Sequence, residues 1–164
     1  MEAPGLLIRV GMAESEAGRA PSTLVTSGLG SCVGVTFYDP VAKVGGMCHV
    51  MLPDSSQARA SENRAKFADT AIPDMLVRLE KMGARRERLV VKVAGGAQMF
   101  AFGNREDRFA IGRRNAEAVR AALKEAGLRI VAEDTGGHHG RTMILETATG
   151  RVLIRTIQGG ETEL

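Results

Sequence analysis

Rings are scarce in this chain: aromatic residues make up 4% of its 164 positions and tryptophan is absent. Proteins that hold single-stranded nucleic acid stack its bases on several exposed rings, and this composition argues against such a platform. Charge of one sign is also lacking, since 22 Lys+Arg face 19 Asp+Glu for a net +3. The isoelectric point near 9.2 looks basic, but an excess of three charges makes a weak field. The small clusters Arg85-Arg86-Arg88 and Arg113-Arg114 sit beside acids. They read as a solvated mixed-charge surface, so no nucleic-acid partner is expected. No apolar run approaches the ~18–20 residues of a membrane span, so no membrane insertion is expected. Met1-Glu2-Ala3-Pro4-Gly5 does not lead into the basic-then-apolar pattern of a signal peptide. The two cysteines, Cys32 and Cys48, lack metal-ligand spacing. They read as reduced thiols of a cytoplasmic protein, with no metal and no cofactor implied.

What is abundant is glycine, 20 of 164 residues against a usual ~7%, which predicts tight turns and close backbone approaches. The 44% hydrophobic content and the length suffice for one core without a disulfide or metal staple. No repeat or composition break divides the chain, so one domain over residues 1–164 is expected.

Leu6–Met12 reads as a short strand and Ala13–Ser22 as a polar loop. Thr23–Thr26 is β-like and runs into a turn at Ser27-Gly28-Leu29-Gly30-Ser31. Val33–Tyr38 and Gly45–Leu52 read as strands. Ala68, Ala71, Ile72, Met75, Leu76, Leu79 and Met82 form one apolar helical stripe. Pro73 then demands either an N-cap at Thr70 or a kink. Gly83 reads as the C-cap. Arg88–Ala94 is a strand, followed by Gly95-Gly96 and a loop to Gly112. Asn115 is expected to cap a second helix, Ala116–Ala126. Leu128–Ala132 is a strand, Gly136–Gly140 a loop, and Met143–Glu146 with Val152–Ile157 a hairpin about Thr149-Gly150. Six to eight strands with two helices cannot cover both faces of a doubly wound sheet. An α+β fold follows, a mixed or antiparallel β arrangement with both helices on one side; two stacked sheets would satisfy it.

Cys32 follows two glycines in Thr26-Ser27-Gly28-Leu29-Gly30-Ser31-Cys32. A tight turn there can aim successive N–H groups at one point, the oxyanion site that a thiol nucleophile needs. The competing reading is a small apolar side chain buried at the start of a strand. Alternation along Gly45–Leu52 sends Met47, His49 and Met51 to one face and Cys48, Val50 and Leu52 to the other. Cys48 is therefore assigned to the core. A hairpin turning at Asp39–Val44 brings His49 alongside Cys32 or just past it, the minimum for Cys-His chemistry; a satisfied core histidine is the alternative. His138-His139, in Gly136-Gly137-His138-His139-Gly140-Arg141, lacks a third metal ligand and reads as a mobile surface loop. Gly95-Gly96-Ala97-Gln98 lacks the other residues of a phosphate loop.

Thr26–Ser55, TSGLGSCVGVTFYDPVAKVGGMCHVMLPDS, resembles the signature of the CheD family of chemoreceptor glutamine deamidases. Phe67-Ala68-Asp69-Thr70-Ala71-Ile72, Lys92-Val93-Ala94-Gly95-Gly96-Ala97-Gln98-Met99-Phe100, Ile111-Gly112-Arg113-Arg114-Asn115 and Ala132-Glu133-Asp134-Thr135-Gly136-Gly137 resemble its further blocks, in order. The resemblance spans about residues 6–158. It implies a layered α/β/β sandwich that hydrolyses glutamine side-chain amides on methyl-accepting chemotaxis receptors. In that reading Cys32 is the nucleophile, His49 the general acid/base and Thr26 the third residue, with Gly30, Ser31 and Val33 supporting the oxyanion loop. The thiol would be partly ionised near neutrality by its histidine. A CheC-type phosphatase is an implied partner, and an adaptor with little turnover is the alternative function. The loop departs from the family's pattern at His138, where Asn or another polar residue is expected.

Overall fold

A computed structural model describes residues 5–56, 58, 63–99 and 110–164. Among these are ten strands, β1 (Leu7–Arg9), β2 (Ser15–Arg19), β3 (Thr23–Leu29), β4 (Val33–Asp39), β5 (Val44–Val50), β6 (Val90–Gly95), β7 (Ile130–Thr135), β8 (Arg141–Glu146), β9 (Arg151–Thr156) and β10 (Gly160–Glu163). Two helices, α1 (Ala68–Lys81) and α2 (Ile111–Glu125), complete the described framework. The strands form two five-stranded sheets, in the orders β1-β3-β8-β9-β10 and β2-β5-β4-β6-β7. Each is mixed, because β1–β3 and β6–β7 run parallel while the other pairs are antiparallel.

The layering follows from alternation along the central strands. Val33, Val35 and Phe37 of β4 and Cys48 and Val50 of β5 pack with Ile72, Met75 and Leu79 of α1 and Val119 and Leu123 of α2. The opposite faces, through Tyr38, Met47 and Ala94, meet Leu24, Leu29, Met143, Leu145 and Ile154 of the other sheet. Both helices therefore cover one face of the second sheet and the first sheet covers the other, giving an α/β/β sandwich. With both faces covered, every residue of β4 and β5 is buried.

Several local expectations change. Ala13–Ser22 is not wholly loop, since β2 pairs antiparallel with β5 from Ser15 opposite Cys48 to Arg19 opposite Val44. The first strand is shorter than Leu6–Met12, and β10 is additional. β3 runs on to Leu29 through an irregularity between Thr26 and Leu29, so strand pairing overrides the turn expected at Ser27–Leu29. Pro73 lies inside α1, which starts at Ala68; burial of the apolar stripe offsets the one missing hydrogen bond. Thr70 is no cap, and its hydroxyl donates to the Arg64 carbonyl. Asn115 lies inside α2, four residues past its start. The loop expected before Gly112 falls largely on residues 100–109, outside the described residues, as does Phe100.

The β4–β5 hairpin is locked at its turn by Asp39. Its buried carboxylate accepts the N–H groups of Val41, Ala42 and Arg85 and the Arg88 Nε–H. Burial alone would raise its pKa, but the Arg88 guanidinium and the three backbone donors override that and hold the carboxyl well below the usual range. A depressed carboxyl stabilises the fold fully above its unfolded pKa of ~3.9 and is lost as pH falls toward the folded value. Asp39→Asn is expected to cost about 2–3 kcal/mol in urea unfolding at pH 7. It should also flatten the acid loss of stability below pH ~4.

Candidate active site

The β4–β5 register decides what His49 faces. Gly34 stands opposite His49, and both point toward the first sheet, where Met47 also points. Cys32, two residues before Gly34, belongs to the same inter-sheet cluster. Thiol and imidazole are thus diagonal cross-strand neighbours on one face, and no hydrogen bond joins them among the described residues. Cys48 points the other way, into the helix-side core, with its Sγ 3.9 Å from the Ala71 carbonyl oxygen.

The third residue arrives from the opposite sheet. Thr26 of β3 is buried, and its hydroxyl donates to the Val10 carbonyl at 2.6 Å. The same oxygen lies 2.6 Å from His49 Nδ1. A hydroxyl has one proton, and here the Val10 carbonyl takes it. The short contact to His49 therefore has Nδ1–H donating and Thr26 accepting. That fixes the tautomer: Nε2 carries the lone pair. Nε2 is buried and has no hydrogen-bond partner among the described residues, on the face that carries the thiol.

The loop before Cys32 is held by its carbonyls. Ala97 N–H donates to the Gly30 oxygen, Gly96 N–H to the Cys32 oxygen, and Asn115 Nδ2 to the Ser31 oxygen. Gly30 N–H is itself engaged with the Gly28 oxygen. Among the described residues no acceptor pairs with the Ser31 or Cys32 N–H. Both are free to donate. Gly30 serves the loop through its carbonyl, and Val33 anchors it by packing into the helix-side core.

Gly95-Gly96-Ala97-Gln98 thus has a scaffolding role that its sequence did not disclose. Gly95 has φ +111°, and a Cβ there would stand 2.3 Å from the Cys32 carbonyl oxygen, so no side chain fits. The His138 loop braces this segment in turn. Gln98 N–H donates to the Gly137 oxygen, Gly136 N–H donates to the Gly95 oxygen, and His138 Nδ1 lies 2.9 Å from the Gln98 oxygen. The mobile surface loop expected here is instead tied to the loop that holds the thiol. His139 lines a cleft of about 730 Å³ beside Gly28, with Arg141, Thr156 and Ile157.

Burial sets the resting protonation. It pushes the Cys32 thiol up. It pulls the His49 imidazole down, and the Glu14 carboxylate counters this only in part. Both shifts run toward the neutral forms, thiol and uncharged imidazole. For the thiol this direction is opposite to the partial ionisation expected from its pairing with histidine. Cys48, sealed in the core, is pushed up to about 12.

Comparison with known proteins places the chain. A family model described as CheD chemotactic sensory transduction matches residues 51–156. A Moorella thermoacetica protein named probable chemoreceptor glutamine deamidase CheD is 56% identical over 151 residues, 92% of this chain and 90% of that one. This chain belongs to the CheD family. A second CheD, the chemoreceptor glutamine deamidase of Halalkalibacterium halodurans, is 50% identical over 159 residues, 96% of this chain and 98% of its own. Among solved structures, Neisseria meningitidis protein NMB0706 shares the fold, with a TM-score of 0.53 at 9% identity over 85% of this chain and 74% of its own. The CheD family match begins at Met51, past Cys32 and His49, so the roles of those two residues are argued from geometry.

Two outcomes test this geometry. Iodoacetamide should modify Cys32 in the native protein while Cys48 reacts only after unfolding, read by peptide mass spectrometry; equal reactivity would contradict the two opposed faces. Gly95→Ala should slow Cys32 alkylation or destabilise the fold by about 1–3 kcal/mol in urea unfolding, because the added methyl meets fixed backbone.

Proposed function

We propose that this protein hydrolyses the side-chain amide of glutamines on chemoreceptors, with Cys32 as nucleophile, His49 as acid and base, and Thr26 as the group that orients the imidazole. The observation carrying this reading is the hydrogen-bond series from Val10 through Thr26 to His49 Nδ1, which leaves Nε2 basic, buried and unpartnered. The names of its close relatives supply the substrate class.

His49 Nε2 takes the Cys32 proton as the sulfur adds to the glutamine Cδ. The amide oxygen becomes an oxyanion between the Ser31 and Cys32 N–H groups. Collapse breaks the C–N bond, and the proton on Nε2 passes to the departing nitrogen, which leaves as ammonia. The neutral imidazole then takes a proton from water, whose oxygen adds to the thioester carbon. The C–S bond breaks, sulfur recovers its proton from Nε2, and glutamate is released. Atoms balance with one water consumed, and no cofactor enters. Thr26 keeps Nδ1 occupied throughout, so Nε2 alone exchanges protons.

A helix face of a receptor's cytoplasmic bundle is the proposed substrate, and the cytoplasm the proposed site of action. We assign the whole chain to one deamidase unit, with a CheC-type phosphatase as a partner competing with receptors for it. Among the described residues no helix is long and apolar enough to cross a membrane.

Peptide mass spectrometry of a receptor cytoplasmic fragment tests the proposal. An amide-to-acid mass step at defined glutamines, absent with Cys32→Ala, is expected; no step with folded, reduced protein would leave an adaptor. Thr26→Val should lower kcat on the order of 10²-fold by freeing the imidazole to rotate and change tautomer. The acid limb of kcat/KM should lie below pH 6.5, the ordinary histidine value, because burial lowers the His49 pKa. A limb above that value would contradict a buried neutral base.

A further inference from the structure

Asn115 is buried in the first half of α2, yet its side chain leaves the helix. Nδ2 donates to the Ser31 carbonyl at 3.0 Å and to the Met51 carbonyl at 2.9 Å. Ser31 immediately precedes the nucleophile, and Met51 lies two residues beyond His49. One amide group therefore uses both its protons to tie the thiol's loop to the end of the strand that carries the base. We infer that Asn115 is a positioning residue that fixes the separation of Cys32 and His49; this rests on the Cys-His reading above.

Three features support the assignment. Both carbonyls lie where the β4–β5 ladder has ended, since its last pair is Val33 with Val50. Without Asn115, neither would be held by the sheet. The donor cannot drift, because Ala116 and Val119 of the same helix are packed in the core against β4. The helix start is seated beside the same scaffold, as a Cβ at Gly112 would lie 2.3 Å from the Ala97 carbonyl oxygen. An amide offers two protons to two carbonyls without adding a charge, while its own Oδ1 is buried with no partner among the described residues. A carboxylate would face both oxygens with like polarity.

The test compares the full chain with Asn115→Asp and Asn115→Ala, the second suited to a helix interior if the first fails to fold. Three quantities are read: steady-state ammonia release from a receptor cytoplasmic fragment, thermal melting, and the pH profile of Cys32 alkylation by iodoacetamide. Displacing reacting groups by ~1 Å costs about 10²-fold, so kcat per folded molecule should fall by that order. KM should stay within about twofold, since the interaction acts in the chemical step and not in receptor binding. The alkylation profile should come to match that of His49→Gln, showing thiol and imidazole uncoupled. A variant with lowered Tm but unchanged kcat and the original alkylation profile would make Asn115 a packing residue only and overturn the inference. If the unaltered chain releases no ammonia while its alkylation still depends on both His49 and Asn115, the deamidase reading fails and the positioning role stands.

Discussion

A single buried hydrogen bond, from His49 Nδ1–H to Thr26 Oγ1, joins the two sheets at the candidate site. It lies between apolar layers formed by Leu24, Leu29, Met47 and Met143. In such surroundings an unpaired imidazole or hydroxyl costs about 1–3 kcal/mol, so the pair forms only if the sheets stack in one register. The same bond sets the chemistry: with Thr26's proton given to Val10, the imidazole has one tautomer and one free nitrogen. Sheet contact and the proposed general-base chemistry meet at the same few atoms, while Tyr38 to the Thr147 carbonyl and Arg141 to Asp134 cross the sheets elsewhere.

The rest of the site is built by carbonyl capture. Three successive carbonyls of the Gly30–Cys32 loop accept from Ala97, Asn115 and Gly96, while the Ser31 and Cys32 N–H groups have no acceptor among the described residues. The donors come from two segments separated widely in sequence, the β6 exit and α2, and the Gly136–His138 loop braces the first of them. Glycine at 95 is required where the capturing segment touches the captured one. A chain rich in glycine and poor in rings suits such backbone-to-backbone construction.

How much of this was legible in the sequence depends on how local the signal is. The β4–β5 hairpin, the faces of Met47, Cys48 and His49, and the helix stripe over Ala68–Leu79 follow from alternation and periodicity, and the structure bears them out. β2 was missed because Ser-Glu-Ala-Gly-Arg carries no apolar pattern; it is an edge strand held by backbone pairing to β5. Asn115 looked like an N-cap because short polar side chains favour that position, but its amide is occupied by tertiary contacts. Thr26 came only from the family resemblance, since its contact with His49 joins different sheets and leaves no trace in spacing. The upward push of burial on the Cys32 thiol was also hidden, because desolvation depends on burial that no local motif reports.

The central claim is the state of one ring, and nitrogen-15 NMR of the His49 imidazole in the resting protein reads it most directly. The account predicts a neutral ring at pH 7, protonated on Nδ1 and with Nε2 as the bare nitrogen, staying neutral to below pH 6.5. A proton resident on Nε2 at pH 7, in the other tautomer or in an imidazolium, would contradict it.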